Sequence, residues 1–240
     1  MAISLNSLVS SRALGIALLI LTGTAMTRGQ NKPAVYQNMA SLGEYLMDHS
    51  AEVSLARSAA PEGISGKSKV MVLGRHGYEN AADGSNGFVC VVERAWMSPF
   101  ESAEFWNPKI RGPICFNPAA VHSILPLTIK RTELVLAGLA KAEIKERLQS
   151  AVKQKELPSL EGGAMSYMMS KRAYLTDAGD HNLSHLMIYA PLTDGASWGA
   201  DLPGSPVMFA GQFQGAPEPI TVFLVPVARW SDGTKAPTME

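Results

Sequence analysis

An arginine and a histidine follow an apolar segment in the first half of the chain, where they could do chemistry. Residues 67–74 predict a strand, and Arg75, His76 and Gly77 come directly after it. An imidazole can act as a nucleophile, and a neighbouring guanidinium can neutralise a phosphate group. Glu79 adds a carboxylate to the same loop. Arg75, His76 and Glu79 are therefore the candidate catalytic residues.

The tripeptide Arg75-His76-Gly77 resembles the catalytic signature of the histidine phosphatase superfamily. In that family a strand delivers an Arg-His-Gly turn, and the histidine takes the phosphoryl group. The resemblance implies a phosphatase-like hydrolase with His76 as its nucleophile. The second histidine and the later acidic or arginine groups of that family have no matching motif here. The structural alternative is a turn in which Gly77 relieves backbone strain and the two charged side chains point to solvent.

His181 and His185, four residues apart, form the second chemical pattern. On a helix this spacing places two imidazoles on one face, and in a loop they could converge with Asp177 or Asp180 as a third ligand. The functional interpretation of this pattern is a metal-assisted hydrolase with a divalent metal, and no other cofactor is predicted. The structural alternative is a polar loop that caps the sheet.

A Gly- and Pro-rich loop over 194–206 carries one aromatic side chain, Trp198. This side chain can line a ligand pocket or form a roof over the core. Trp198, His181 and His185 are therefore the candidate binding residues. An enzyme is favoured over a binding protein if His76 and His185 share one concave pocket.

The chain contains two cysteines, Cys90 and Cys115. An isolated pair in an oxidising compartment is most simply a disulfide, and we expect one between them. The alternative is two buried free thiols. Cys90 lies in the middle of a predicted strand, which makes it a poor nucleophile.

The first 25 residues have the composition of a secretory signal peptide. Arg12 is their only charged residue, the apolar run 13–21 follows it, and small residues occupy 23–25. The alternative is a membrane anchor, but a spanning helix needs about 20 apolar residues, more than this run supplies. We therefore expect removal of residues 1–25, a periplasmic or secreted location, no membrane span in the mature chain, and a single domain over 26–240.

Opposite charges are balanced along the chain. Lys plus Arg number 21, as do Asp plus Glu, and no long block of like charge occurs. This balance argues against nucleic acid or an anionic membrane surface as a partner.

The stretch 86–96 is the strongest strand in the sequence. It is rich in β-branched and aromatic residues, and alternate residues of a strand point to opposite faces. Cys90 and Val92 share one face, while Val91 and Glu93 share the other. Both faces are apolar in the first half, which is typical of a central strand covered on both sides.

Helices and strands are segregated along the chain rather than alternating. This pattern predicts an α+β fold with a mostly antiparallel sheet of about five strands and with helices before and between two strand clusters. Helical periodicity occupies 33–60 and 119–156, and further strands are predicted at 164–170, 185–190, 206–210 and 220–230.

The mature chain as a whole resembles exported bacterial proteins of uncharacterised families. The turns Asn86-Gly87-Phe88-Val89-Cys90 and Asn107-Pro108-Lys109-Ile110-Arg111 carry this resemblance, which implies no activity. We therefore expect an exported binding or structural domain. The alternative is a hydrolase, either phosphatase-like or metal-assisted.

Overall fold

The computed structural model describes residues 36–179, 183–212 and 218–237, which lie in one compact unit, Pro33–Glu240. The predicted signal peptide and its cleavage site lie outside the described residues. Within the described ranges, no helix combines the length and the apolar character that a bilayer span requires.

The described helices precede the sheet or connect its strands. The helices are α1 (Leu42–Tyr45), α2 (His49–Arg57), α3 (Glu62–Ser65), α4 (Pro118–Ser123), α5 (Leu125–Leu136) and α6 (Lys141–Lys153). The strands are β1 (Lys69–Gly74), β2 (Gly77–Ala82), β3 (Val89–Glu93), β4 (Gly112–Phe116), β5 (Met165–Met168), β6 (His185–Pro191), β7 (Met208–Gln212) and β8 (Ile220–Pro226).

All eight strands form one sheet in the order β2-β1-β3-β4-β5-β6-β8-β7. The pairing of β1 with β3 is parallel and every other pairing is antiparallel. The α+β class is therefore confirmed. The sheet has more strands than the expected five or so, because β2 and β4 were not among the strands predicted from the sequence.

The strand β3 lies inside the sheet and is covered on both faces, as its sequence predicts. Cys90 and Val92 pack with α2 on one face, and Val89 and Val91 pack with α4 and α5 on the other. Glu93 ends the strand on the α5 face because it continues the alternation of Val89 and Val91. The sheet therefore separates two different packing layers.

Local features of the sequence explain why β2 and β4 were not predicted as strands. The strand β2 is a polar edge strand with exposed Glu79 and Asn80, so it lacks a hydrophobic signal. The strand β4 contains Pro113. Only Cys115 and Phe116 of this strand pair with β5, so Pro113 lies outside that pairing. A proline is compatible with a strand at such a position.

A disulfide joins Cys90 of β3 to Cys115 of β4, as predicted. The two residues are direct cross-strand partners, and both are fully buried. The bridge therefore fixes the register of the two central strands on the α2 face.

A buried ion pair connects α2 to the end of β3. The Arg94 guanidinium donates to a Glu52 carboxylate oxygen at 2.9 Å, and the other oxygen accepts from the backbone N–H of Leu73 at 3.0 Å. Arg94 also donates to the carbonyl of Tyr45 at 2.8 Å. The pair ties α1, α2 and two strands together without facing bulk water.

Candidate functional site

A cavity of about 240 Å³ lies between α5 and the sheet, on the face opposite the disulfide. Its wall comes from β3 to β6, from the start of β8, and from the loops before β4 and after β5. The lining residues are mostly apolar, with a few polar groups among them: Glu93, Arg94, Met97, Ser98, Ile110, Gly112, Ile124, Leu127, Thr128, Arg131, Met168, Leu175, Met187, Tyr189, Glu218 and Ile220.

Helical spacing in α5 brings polar side chains to this wall. Leu127, Thr128 and Arg131 follow one another at short helical steps, and all three are buried. Residues three or four apart share one face of a helix. The same face that packs the core therefore presents Thr128 and Arg131 to the cavity.

Glu93 is the acidic group of the cavity. The Thr128 hydroxyl donates to its Oε1 at 3.0 Å, and Glu93 forms no ion pair with any described residue. Burial raises the pKa of this carboxyl to about 7, although the Thr128 hydrogen bond and the charge of Arg131 act in the opposite direction. Glu93 therefore changes charge near neutral pH.

Arg131 is the second polar group of the wall. Its guanidinium donates to Glu218 at 3.2 Å and to the carbonyls of Trp96 and Ser98 at 3.1 and 3.2 Å. It also lies 4.6 Å from the centre of the Phe100 ring, within cation–π range. Its Nε atom is buried and has no hydrogen-bond partner among the residues that the structure describes.

Three methionines supply much of the apolar wall. Met97, Met168 and Met187 line the cavity, and each is half-buried. Unbranched thioether side chains fill irregular space and adapt to different shapes. Gly112 leaves room in the wall because it has no side chain. A Cβ atom added there would lie 3.4 Å from the Leu175 side chain.

The loops that carry Ile110 and Leu175 are held together next to the cavity. Arg111 and Tyr174 exchange two backbone hydrogen bonds, at 2.8 and 3.0 Å. Asp177 accepts hydrogen bonds from several side chains around it, with the Tyr174 hydroxyl at 2.6 Å. These bonds hold the pKa of Asp177 well below its usual range, so this carboxylate stays ionised and keeps the loops joined.

A second and larger groove of about 780 Å³ lies beside α2. Its cations already have partners: Arg57 donates to the Ser65 carbonyl at 2.6 Å, Arg172 donates to the Ser54 carbonyl, and Lys171 pairs with Asp232. Its wall is more polar than that of the cavity, with serine residues along much of its length. Binding pockets for small molecules are mostly apolar, so the smaller cavity is the better candidate site.

The predicted catalytic residues lie on the outside of the sheet. Arg75 and His76 form the exposed two-residue turn between β1 and β2, in which Gly74 pairs with Gly77. Glu79 is exposed on the edge strand β2. Gly77 has a φ of 132°, which a glycine adopts without strain. This arrangement matches the structural alternative for the tripeptide.

The predicted binding residues do not join that group. His185 is buried at the start of β6, and three strands separate β6 from β1, so the two strands are roughly 20 Å apart. Burial lowers the pKa of His185, which favours the neutral imidazole. The Trp198 ring is stacked 4.4 Å from the buried Phe223 ring and does not line the cavity.

The predicted metal pair is only partly described. His181 lies outside the described residues, and the His185 Nδ1 atom lies 2.7 Å from the Leu183 carbonyl oxygen. Among the described side chains, no group of three or more His, Cys, Asp or Glu residues is placed to hold a metal ion. His185 does lie next to the cavity wall, because it is the cross-strand partner of Met168.

The polar residues of the cavity were not among the candidate site residues predicted from the sequence. The signal for Glu93 was a lone carboxylate on the strand face that carries Val89 and Val91. The signal for Thr128 and Arg131 was their position: they are polar residues at the same helical spacing as the apolar residues of α5. A polar group at a position reserved for the core is informative, because its burial is unfavourable unless it is paired.

Comparisons with known proteins give no relative from which a function could be transferred. No protein-family model, curated protein or solved structure matches the chain significantly. The cavity and its side chains therefore carry the functional argument.

Proposed function

We propose that this protein is an exported binding protein whose cavity beside α5 takes a small, largely apolar molecule. The observation that carries the proposal is a cavity of about 240 Å³ inside the main hydrophobic layer, with a mostly apolar wall. An engineered apolar cavity of about 150 Å³ is already large enough to bind benzene.

The energetics of apolar burial support a ligand in this space. The cavity is partly open to solvent and its wall is mostly apolar, so water covers apolar surface there. Removing apolar surface from water is favourable by roughly 25 cal/mol per Å². An apolar ligand that covers this wall therefore has a driving force for binding.

The composition of the wall favours binding over hydrolysis. The described lining residues include no histidine and no cysteine, and the exposed His76 lies on another part of the sheet. Activated nucleophiles require a neighbouring base and a third group that orients it. The wall instead combines apolar side chains with a few polar groups, as ligand-binding pockets do.

The export part of the proposal rests on two features. The apolar run 13–21 with its small-residue exit is typical of a secretory signal, and the Cys90–Cys115 bridge is stable in an oxidising compartment. Cell fractionation with N-terminal sequencing tests this part. A full-length chain found in the cytoplasm with its leader intact would contradict export.

The cavity is tested by NMR of the ¹³C-labelled methionine methyl groups during titration with toluene. We expect the signals of Met97, Met168 and Met187 to shift with a common affinity, while Met47, which packs on the α2 face, stays in place. Shifts spread evenly over all methionines, or none at all, would contradict the proposal.

A matched pair of glycine variants separates the cavity from the rest of the surface. Gly112→Val adds a branched side chain toward the lining residues Met168 and Leu175, whereas Gly162 is exposed and has no neighbour within 4 Å of an added Cβ. We expect Gly112→Val to abolish toluene binding and Gly162→Val to retain it. Equal binding by both variants would place the ligand elsewhere.

A further inference from the structure

We propose that the ligand of the cavity carries a primary ammonium group on an apolar body, and that this group binds the Oε2 atom of the Glu93 carboxylate. The inference rests on the proposed binding function and adds the chemical class of the ligand. It follows from the one charge of the cavity wall that no described residue balances.

Four charged residues line the cavity, and three of them have a partner of opposite charge. Arg131 pairs with Glu218 at 3.2 Å, and both lie in the wall, so this pair adds no net charge. Arg94 pairs at 2.9 Å with Glu52, which is not itself a lining residue. Glu93 has no such partner among the described residues. When Glu93 is ionised, the site therefore has one negative charge in excess, which complements a cationic ligand.

The Oε2 atom of Glu93 is open to a ligand. The Oε1 atom accepts from the Thr128 hydroxyl at 3.0 Å, whereas Oε2 forms no hydrogen bond with a described residue. Within the described ranges, Arg131 Nε is the one fully buried side-chain nitrogen or oxygen that lacks a partner. Since Oε2 also lacks a partner, it is not fully buried and keeps surface that a ligand can reach.

The Glu93 side chain leaves its strand on the side of the cavity. Gly112 is its cross-strand partner, and a Cβ atom added at Gly112 would lie 3.8 Å from the Glu93 Cβ atom and 3.5 Å from the Met168 side chain. All three residues line the cavity. The reachable surface of Oε2 therefore opens into this space.

The surroundings of this carboxylate favour a cation over a neutral donor. An unpaired charge within mostly apolar walls is unfavourable, and a partner of opposite charge relieves that cost. A hydrogen bond from an ammonium group to a carboxylate is also stronger than one from a neutral donor. Because the cavity is partly open to solvent, the ammonium group keeps part of its hydration while the apolar body covers the wall.

The charge of Glu93 gives the binding of a cation a defined pH dependence. Burial raises the pKa of Glu93 to about 7, although Arg131 acts in the opposite direction. Burial also raises the pKa of Tyr78 and Tyr189, the nearby phenols, and lowers that of His185 beside the wall. A cation stabilises the ionised carboxylate, so its binding should release a proton below pH 7 and tighten as the pH rises.

Four probes with the same aromatic ring and similar size test the head group: ethylbenzene, benzyl alcohol, benzylamine and benzoate. Ethylbenzene is apolar, benzyl alcohol is a neutral donor, benzylamine is protonated at the pH values used, and benzoate is an anion. With the methyl signals of Met97, Met168 and Met187 as the readout at pH 8, we expect benzylamine to bind about tenfold tighter than ethylbenzene, with benzyl alcohol between them and benzoate weakest. At pH 5.5 the preference for benzylamine should disappear, because the ionised fraction of Glu93 is roughly thirtyfold lower there than at pH 8.

The ranking separates the ligand class from the binding function. Benzyl alcohol equal to benzylamine at pH 8, or benzoate as the tightest probe, would overturn the cationic class. A benzylamine preference that does not weaken as the pH falls would overturn the role of Glu93. Ethylbenzene binding without a benzylamine preference would overturn the inference and leave the proposed function standing, and failure of all four probes would overturn both.

A glutamine variant assigns the effect to one side chain. Glu93→Gln removes the charge and keeps an acceptor for Thr128, so we expect the tenfold preference at pH 8 to fall to about twofold or less and to lose its pH dependence. Glu146→Gln, at an exposed position on α6, should retain both. A circular dichroism melting curve confirms that each variant is folded. A full preference in the folded Glu93→Gln protein would show that another group binds the ammonium.

Discussion

Replacing Glu93 by glutamine isolates the charge of the cavity from its shape. Glutamine has nearly the same size, and its carbonyl oxygen can still accept the hydrogen bond from Thr128. It cannot ionise. Any difference in pH dependence between the two proteins therefore reports the protonation of Glu93, because all other titrating groups are shared.

The expected magnitude follows from the pKa of this carboxyl. Burial raises the pKa of Glu93 from its ordinary value of 4.5 to about 7. The folded protein therefore holds the proton more tightly than the unfolded chain, and the free energy of unfolding falls as pH rises from about 4.5 through 7. Integrated between pH 5 and pH 8, this single group lowers the stability of the native protein by about 2.5 kcal/mol.

Urea unfolding followed by tryptophan fluorescence at pH 5, 6, 7 and 8 measures the effect. We expect the variant to gain about 2.5 kcal/mol relative to the native protein across this range, whatever its offset at pH 5. Glu146→Gln, at an exposed position on α6, is the control and should show a constant difference. A ¹³C NMR titration of the Glu93 carboxyl provides the pKa directly.

Two results would refute the reasoning about Glu93. A difference between Glu93→Gln and the native protein that stays flat from pH 5 to pH 8 would show that the carboxyl titrates normally. A carboxyl signal that titrates near pH 4 would show that water solvates Glu93 freely. Either result would contradict the conclusion that apolar surroundings raise the pKa of Glu93.

Three further perturbations test other parts of the fold. Glu52→Gln leaves a buried guanidinium without its carboxylate, so urea unfolding should show a loss of about 3–5 kcal/mol, and a loss below about 1 kcal/mol would contradict burial of the pair. Reduction of the Cys90–Cys115 bridge opens a loop with a sequence separation of 25 and should lower stability by about 3.5 kcal/mol, which an unchanged urea midpoint in reductant would disprove. Gly112→Ala should raise the melting temperature, because its Cβ would make only ordinary contacts of 3.4 to 3.8 Å, whereas Gly84→Ala should lower it, because its Cβ would lie 2.1 Å from a backbone nitrogen. The reverse order of the two alanine variants would contradict the local geometry.

The sequence predicted that both faces of the central strand are covered, because apolar residues at successive positions of a strand point to both faces of the sheet. Alternation in β3 correctly separated Cys90 from Glu93, and the two isolated cysteines indicated their own pairing. An aspartate directly before a helix is a typical N-cap, and the Asp48 side chain accepts from the backbone N–H of Ala51 at 3.0 Å. These features depend on neighbours in sequence or on very few partners.

Pairing direction and the cavity were not predictable in the same way. Strands that follow one another along the chain often pair as an antiparallel hairpin, but here β2 folds back on β1 and leaves β3 parallel to β1. The cavity brings Glu93 next to Thr128 and Arg131 across 35 or more positions of sequence. No local periodicity in the sequence predicts these contacts, since they depend on how α5 crosses the sheet.

The two faces of the sheet are packed in different ways. On the α2 face, the Cys90–Cys115 bridge and the Glu52–Arg94 ion pair fix the strands with covalent and buried polar contacts. On the α5 face, the packing contains a cavity of about 240 Å³ and a carboxyl that is near its titration point. A binding site is better defined when the elements that carry it are held in place by packing and hydrogen bonds. The disulfide joins β3 to β4, and the opposite side of these two strands contributes Glu93 and Gly112 to the cavity wall. The contacts of the α2 face therefore fix the strands that shape the candidate ligand site.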